Sequence, residues 1–165
     1  MNTNDYIQQM KGLYNIILHF IEKEDTNITN IFKDMQILQN REDVKLIITI
    51  LLKISNNHHR TPNFFTQIKQ ILNGIKPNIN QHFSNTEIFN LFKSNKYLLL
   101  HLIEEKVITI DDQIVDLILE IGDNAYTKYS HYFYPEIKTF LNEQTQKAIE
   151  EEMLTTDSKI FNDDF

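Results

Sequence analysis

The chain contains no cysteine and no tryptophan, and only 3 glycines and 3 prolines among its 165 residues. Without a thiol there is no disulfide framework, no thiolate zinc site and no cysteine nucleophile. So few chain breakers leave little room for the many tight turns of an all-β fold. The three isolated glycines, Gly12, Gly74 and Gly122, build neither a phosphate loop nor a dinucleotide fingerprint, and no Gly-x-Ser-x-Gly elbow offers a serine nucleophile. Long apolar runs are also missing. Leu46 to Leu52 is broken by Thr49 and flanked by Lys45 and Lys53, far short of the ~20 residues of a membrane span. The polar stretch Met1 to Met10 lacks the layout of a signal peptide, so an intracellular, cytoplasmic protein is expected. Basic residues are outnumbered 16 to 23, leaving a net charge of −7. Such a chain repels phosphate backbones, which disfavours nucleic acid as a partner. Lys69, Lys76, Lys93 and Lys96 stand singly between apolar positions, and no basic patch is visible.

What the chain has instead is apolar residues, 41% of the total, enough for a core. Ile favours strands when taken alone, so periodicity has to decide, and it decides for helix. Tyr6, Met10, Leu13, Ile17, Phe20 and Ile21 form one stripe between Asp5 and Lys23, with Asn4 or Asp5 as the expected cap. Ile28, Ile31, Phe32, Met35 and Leu38 form a second. Asn40 and Asp43 resemble a capping box opening a third helix, apolar around most of its girth and therefore expected at the centre. A polar loop from Ser55 to Arg60 follows. Thr61-Pro62 starts a fourth helix, which Asn73-Gly74 is expected to stop through a left-handed cap. Lys76-Pro77 opens a short helix through Phe83, and Ser84 with Glu87 makes a capping box for the next. After a Ser94-Asn95 break, Tyr97 to Ile103 forms a helix ending at Lys106. Thr109 or Asp111 caps another, stopped by Gly122. Pro135 opens a short helix through Leu141.

Eight or so helices with short loops imply antiparallel neighbours. The expected fold is all-α: stacked antiparallel helix pairs in an α-solenoid, a degenerate ankyrin-like helical repeat. Residues 1–141 would form this domain and 142–165 a polar, acidic helical extension with a frayed tail. Asn85 to Asp111 has the layout of one ankyrin-type unit, with an exposed Ile-Thr-Ile-Asp after its second helix, although Asn85-Thr86-Glu87-Ile88 replaces the usual Thr-Pro-Leu-His opening.

Four ordered strings sharpen this reading. They are Ile54-Ser55-Asn56-Asn57-His58-His59-Arg60-Thr61-Pro62-Asn63-Phe64-Phe65, Phe83-Ser84-Asn85-Thr86-Glu87-Ile88-Phe89-Asn90-Leu91-Phe92-Lys93, Leu102-Ile103-Glu104-Glu105-Lys106-Val107-Ile108-Thr109-Ile110-Asp111 and Tyr132-Phe133-Tyr134-Pro135-Glu136-Ile137-Lys138. Together they resemble the helical N-terminal region of a large family of protist ankyrin-repeat proteins, over roughly residues 5 to 153. The resemblance brings no assigned activity that carries over residue by residue, and no cofactor is expected. It implies the leading segment of a protein-binding scaffold, with the ankyrin array itself missing from these residues.

Three groups are candidate sites. His58, His59 and Arg60 could hold a metal or an anion at the start of the fourth helix. Adjacent histidines diverge and no carboxylate ligand is nearby in sequence, so the competing reading is a structural cap between two helices. Glu104-Glu105 with Asp111-Asp112 could be paired carboxylates, or simply solvated helix ends. Tyr126, Tyr129, Tyr132 and Tyr134 could form a peptide-binding surface, or could close the end of the core. The expected function is a non-catalytic protein–protein interaction module with a protein partner. The alternatives are a purely structural end cap of a longer repeat protein or, least favoured, an enzyme using His58, His59 and Arg60.

Overall fold

The computed structural model describes residues 3–25, 27–58, 61–124 and 134–155. Among them every regular element is a helix. They are α1 (Thr3–Glu22), α2 (Ile28–Asp34), α3 (Arg41–Asn57), α4 (Pro62–Gly74), α5 (Lys76–His82), α6 (Asn85–Phe92), α7 (Lys96–Glu104), α8 (Asp112–Asn124) and α9 (Tyr134–Thr155). The chain divides into two compact units, Met1–Thr109 and Ile110–Phe165.

In the first unit α3 is the central helix. It packs against α1, α4 and α5 and buries Val44, Leu46, Ile47, Ile48, Ile50, Leu51, Ile54 and Ser55. Burying one such aliphatic side chain stabilises the fold by about 1.5–3 kcal/mol, so this helix alone accounts for a large share of the core. Phe32, Phe89 and Phe92 are the largest fully buried side chains among the described residues. The α1 stripe lies inward through Leu13, Ile17 and Ile21, while Tyr6 at its first turn is exposed.

Several helix starts follow the expected chemistry, whereas Thr61 precedes Pro62 at the start of α4 without a side-chain cap bond. The Asn40 side chain accepts from the Asp43 N–H. The Asp43 carboxylate, one methylene shorter than Glu, accepts from the Asn40 side-chain amide at 2.9 Å rather than from its backbone. Ser84 and Glu87 form a complete capping box. Asn95 caps α7 by accepting from Leu98. Asp111, not Thr109, caps α8 by accepting from Ile114 at 2.8 Å. Thr109 is held instead by Asn85, whose side-chain amide both donates to its carbonyl and accepts from its N–H. Asn4 and Asp5 lie inside α1 rather than ahead of it.

Helix ends differ from the expectation. Gly74 is the last residue of α4 rather than a left-handed cap beyond it, and Gly122 lies within α8, which continues to Asn124. No described glycine takes a positive φ. The left-handed positions are Glu24 (φ 54), Gln36 (φ 58) and Lys106 (φ 60). Each sits in a paired-bond C-cap. Glu24 and Asp25 donate to Ile21 and Phe20, Gln36 and Ile37 to Lys33 and Phe32, and Lys106 and Val107 to Ile103 and Leu102. The second stripe is therefore a seven-residue helix followed by a turn, not one helix to Leu38. Ser55, Asn56 and Asn57 belong to the last turn of α3 rather than to a loop. Ile108, expected in an exposed stretch, is buried.

In the second unit α8 buries Ile114, Val115 and Ile118. The helix opened by Pro135 does not stop near Leu141 but continues to Thr155. Its described side chains bond along its own axis, Thr139 to the Pro135 carbonyl and Gln146 to Glu150. The acidic tail beyond Thr155 lies outside the described residues.

Candidate functional site

His58 is the described member of the expected histidine–arginine cluster. It is the C-cap of α3: its N–H donates to Ile54 and its carbonyl accepts from Thr61. Its half-buried ring rests against Phe64, centroids 4.8 Å apart. His59 and Arg60 lie outside the described residues, as do Tyr126, Tyr129 and Tyr132; Tyr134 opens α9 but its side chain is outside them too. Among the described residues no three His, Asp or Glu side chains gather as metal ligands. Glu104 and Glu105 are exposed. Asp111 is committed to its cap.

The fold brings together polar groups that are far apart in sequence. Asn95, buried at the start of α7, donates to Ser55 in the last turn of α3 at 3.0 Å. His101 is also buried and shares a 2.9 Å bond with Asn73 of α4. Burial pushes its pKa below the ordinary value, and the nearby Lys69 acts in the same direction, opposed by Glu105 and Glu104. On another side Arg41 reaches from the first turn of α3 to the His82 carbonyl at 2.8 Å and to the Glu87 carboxylate, with its guanidinium 4.5 Å from the Phe83 ring centroid. The hydrogen bond from Arg41, with those from Ser84, lowers the Glu87 pKa to about 2.

The group with the character of a binding surface lies across α4 and α7. Phe65 and Tyr97 meet edge to face, centroids 6.3 Å apart and planes at 83°. Lys69 holds its ammonium 4.8 Å from the Phe65 ring centroid, and Lys96 holds its own 5.3 Å from that of Tyr97. Tyr97 is 55% exposed, the highest value among the large apolar side chains described. Two lysines that are singletons in the sequence thus flank one aromatic pair. The spacing along α7 shows that Tyr97 sits at a helix start, but nothing local pairs it with Phe65, 32 positions earlier. That pairing exists because the fold brings α4 side chains within reach of α7. Phe65 meets Tyr97, Asn73 meets His101, and Lys76 donates to the Glu105 carbonyl.

No known family model matches the chain, and no curated protein and no solved structure matches it. Among the described residues no helix is long and apolar enough to cross a membrane.

Proposed function

We propose that the chain is a non-catalytic protein-interaction module whose first unit is a stack of helix pairs presenting the Phe65–Tyr97 face to a protein partner. The observation that carries this reading is the exposed aromatic pair bracketed by lysines. Aromatic side chains with polar tips dominate the energetics of protein interfaces, where they bury a large area at low rotamer cost.

Two features support the stacked arrangement. α1 and α3 pack against each other in parallel: Lys53 contacts Met10, and Asn57 donates to Tyr14 four residues further along both helices. Parallel alignment of non-consecutive helices is what repeated helix hairpins produce when they stack in series. The four-string resemblance to the leading helical region of ankyrin-repeat scaffolds points the same way. A structural role for His58, seated on Phe64 and on the backbone of its own loop, favours this reading over an enzymatic one built on that histidine.

A photo-crosslinking amino acid at Tyr97 of the full chain tests the proposal. A discrete, reproducible protein adduct in extract, lost when Phe65 is replaced by Ala, is the expected result. Crosslinking no stronger than from an exposed polar position such as Asn90 would overturn it.

A further inference from the structure

We infer that Asn73 is a self-modification site: with Gly74 it closes a succinimide and loses its amide, and the hydrogen bond to His101 keeps it unreactive until the end of α4 opens. Asn73-Gly74 is the one asparagine–glycine pair in the chain; every other asparagine is followed by a residue with a side chain. Glycine leaves the backbone nitrogen after the asparagine unobstructed and lets the chain turn through conformations that other residues avoid. Two packing needs place the pair here. A Cβ at position 74 would meet the Thr29 hydroxyl at 2.5 Å, so the position calls for glycine. The Asn73 Oδ1 lies 2.9 Å from His101 Nε2, which donates to it. Both residues of the pair are exposed, whereas His101 is buried.

The chemistry needs only water. The Gly74 nitrogen attacks Asn73 Cγ and gives up its proton. The new N–Cγ bond forms as the Cγ–Nδ2 bond breaks, and the side-chain nitrogen leaves with that proton as ammonia. Water then opens the ring at either carbonyl, giving Asp or the isomer whose backbone runs through the side chain. Attack requires the nitrogen and Cγ to meet within about 3–3.5 Å. Asn73 belongs to the last turn of α4, where a helical backbone directs the next N–H along the helix axis instead. The reaction therefore runs through local opening of that turn, which breaks the His101 bond as well. The product places a carboxylate where the Asn73 amide met His101. The charged groups already near that ring are Lys69 on α4 and Glu104 and Glu105 at the end of α7. The new one is an opposite charge at hydrogen-bond distance and favours the protonated imidazole.

The test incubates the full chain at neutral pH and physiological temperature and follows the Asn, Asp and isoaspartyl forms by peptide mass spectrometry. Asn73 is expected to convert before any other asparagine, and at least about tenfold faster in the guanidinium-unfolded chain than in the folded one. His101→Ala is expected to convert at least about threefold faster than the wild type at equal global stability, matched by adding denaturant to the wild type. Gly74→Ala, made together with Thr29→Ala to clear the contact, is expected to lose most of the conversion. Asn73→Asp, the product, is expected to hold the His101 proton to a higher pH than the wild type, read by NMR titration of the imidazole. Another asparagine converting first overturns the inference. So do equal rates for wild type and His101→Ala at matched stability, or an unchanged His101 titration in Asn73→Asp.

Discussion

Gly74 and Gly12 answer the same added methyl group in opposite ways. A Cβ at Gly74 would sit 2.5 Å from the Thr29 hydroxyl of α2, whereas one at Gly12 meets nothing within 4 Å. Both are helical, so Ala has the better intrinsic propensity by about 1 kcal/mol at either position. Gly12→Ala should therefore stabilise by about 0.5–1 kcal/mol. Gly74→Ala should destabilise by about 1–2 kcal/mol through the contact with Thr29, and Thr29→Ala should relieve most of that loss. Thermal melts of the single and double variants measure the coupling; additive effects would rule out the contact as the cause. His101 gives a pH signature. Its burial, helped by Lys69, holds the folded-state pKa below the ordinary value near 6.5. The unfolded chain then binds the extra proton first. The contribution is full above about pH 6.5 and is lost as the pH falls through that value toward the folded-state pKa. The melting-temperature difference between wild type and His101→Gln should move against the wild type from pH 7.5 to pH 5. Parallel profiles for the two proteins would contradict this.

At the scale of elements, the C-terminal caps carry the clearest strain. Glu24, Gln36 and Lys106 hold left-handed conformations at which a side chain costs roughly 1–2 kcal/mol relative to Gly. Lys106→Gly should therefore raise stability by up to about 1 kcal/mol with the two-bond cap intact, readable as an upward shift of the denaturant midpoint at constant slope. A downward shift would mean the Lys106 side chain makes contacts worth more than the strain. The junction of α3, α5 and α6 has its own pH window. Hydrogen bonds from Arg41 and Ser84 hold Glu87 at about 2, so the stability it confers is present above the usual carboxylate value and lost as the pH falls from about 4.5 toward 2. Both partners are near half exposed, so the effect is modest and salt-screened. Glu87→Gln should show a smaller loss of melting temperature between pH 5 and pH 2.5 than the wild type, and less difference from it in high salt.

At the scale of the molecule, Met1–Thr109 forms a compact unit with its own core around α3. A polypeptide of residues 1–109 should unfold in one cooperative transition. A broad, probe-dependent melt would show that its core depends on the remainder of the chain. Along the chain the sequence is most legible where chemistry is local. The Asn40, Ser84, Asn95 and Asp111 starts are each decided by a side chain and an N–H three residues on. It is least legible at helix ends, because a left-handed Glu, Gln or Lys has no local marker and Gly74 answers to a close neighbour instead. It is silent on the Phe65–Tyr97 face and on the His101–Asn73 bond, whose partners are roughly 30 positions apart.

By itself the sequence determined the all-helical class, the capped starts at Asn40 and Ser84 and the central place of α3, since periodicity and capping act over one or two turns and are written in neighbouring residues. Tertiary structure decided the rest. Gly74 is small because Thr29 approaches it, not because it takes a left-handed conformation. Two isolated lysines come to flank one aromatic pair because the fold brings Phe65 of α4 against Tyr97 of α7. Such proximity is a property of how helices pack, and no local stretch of residues records it.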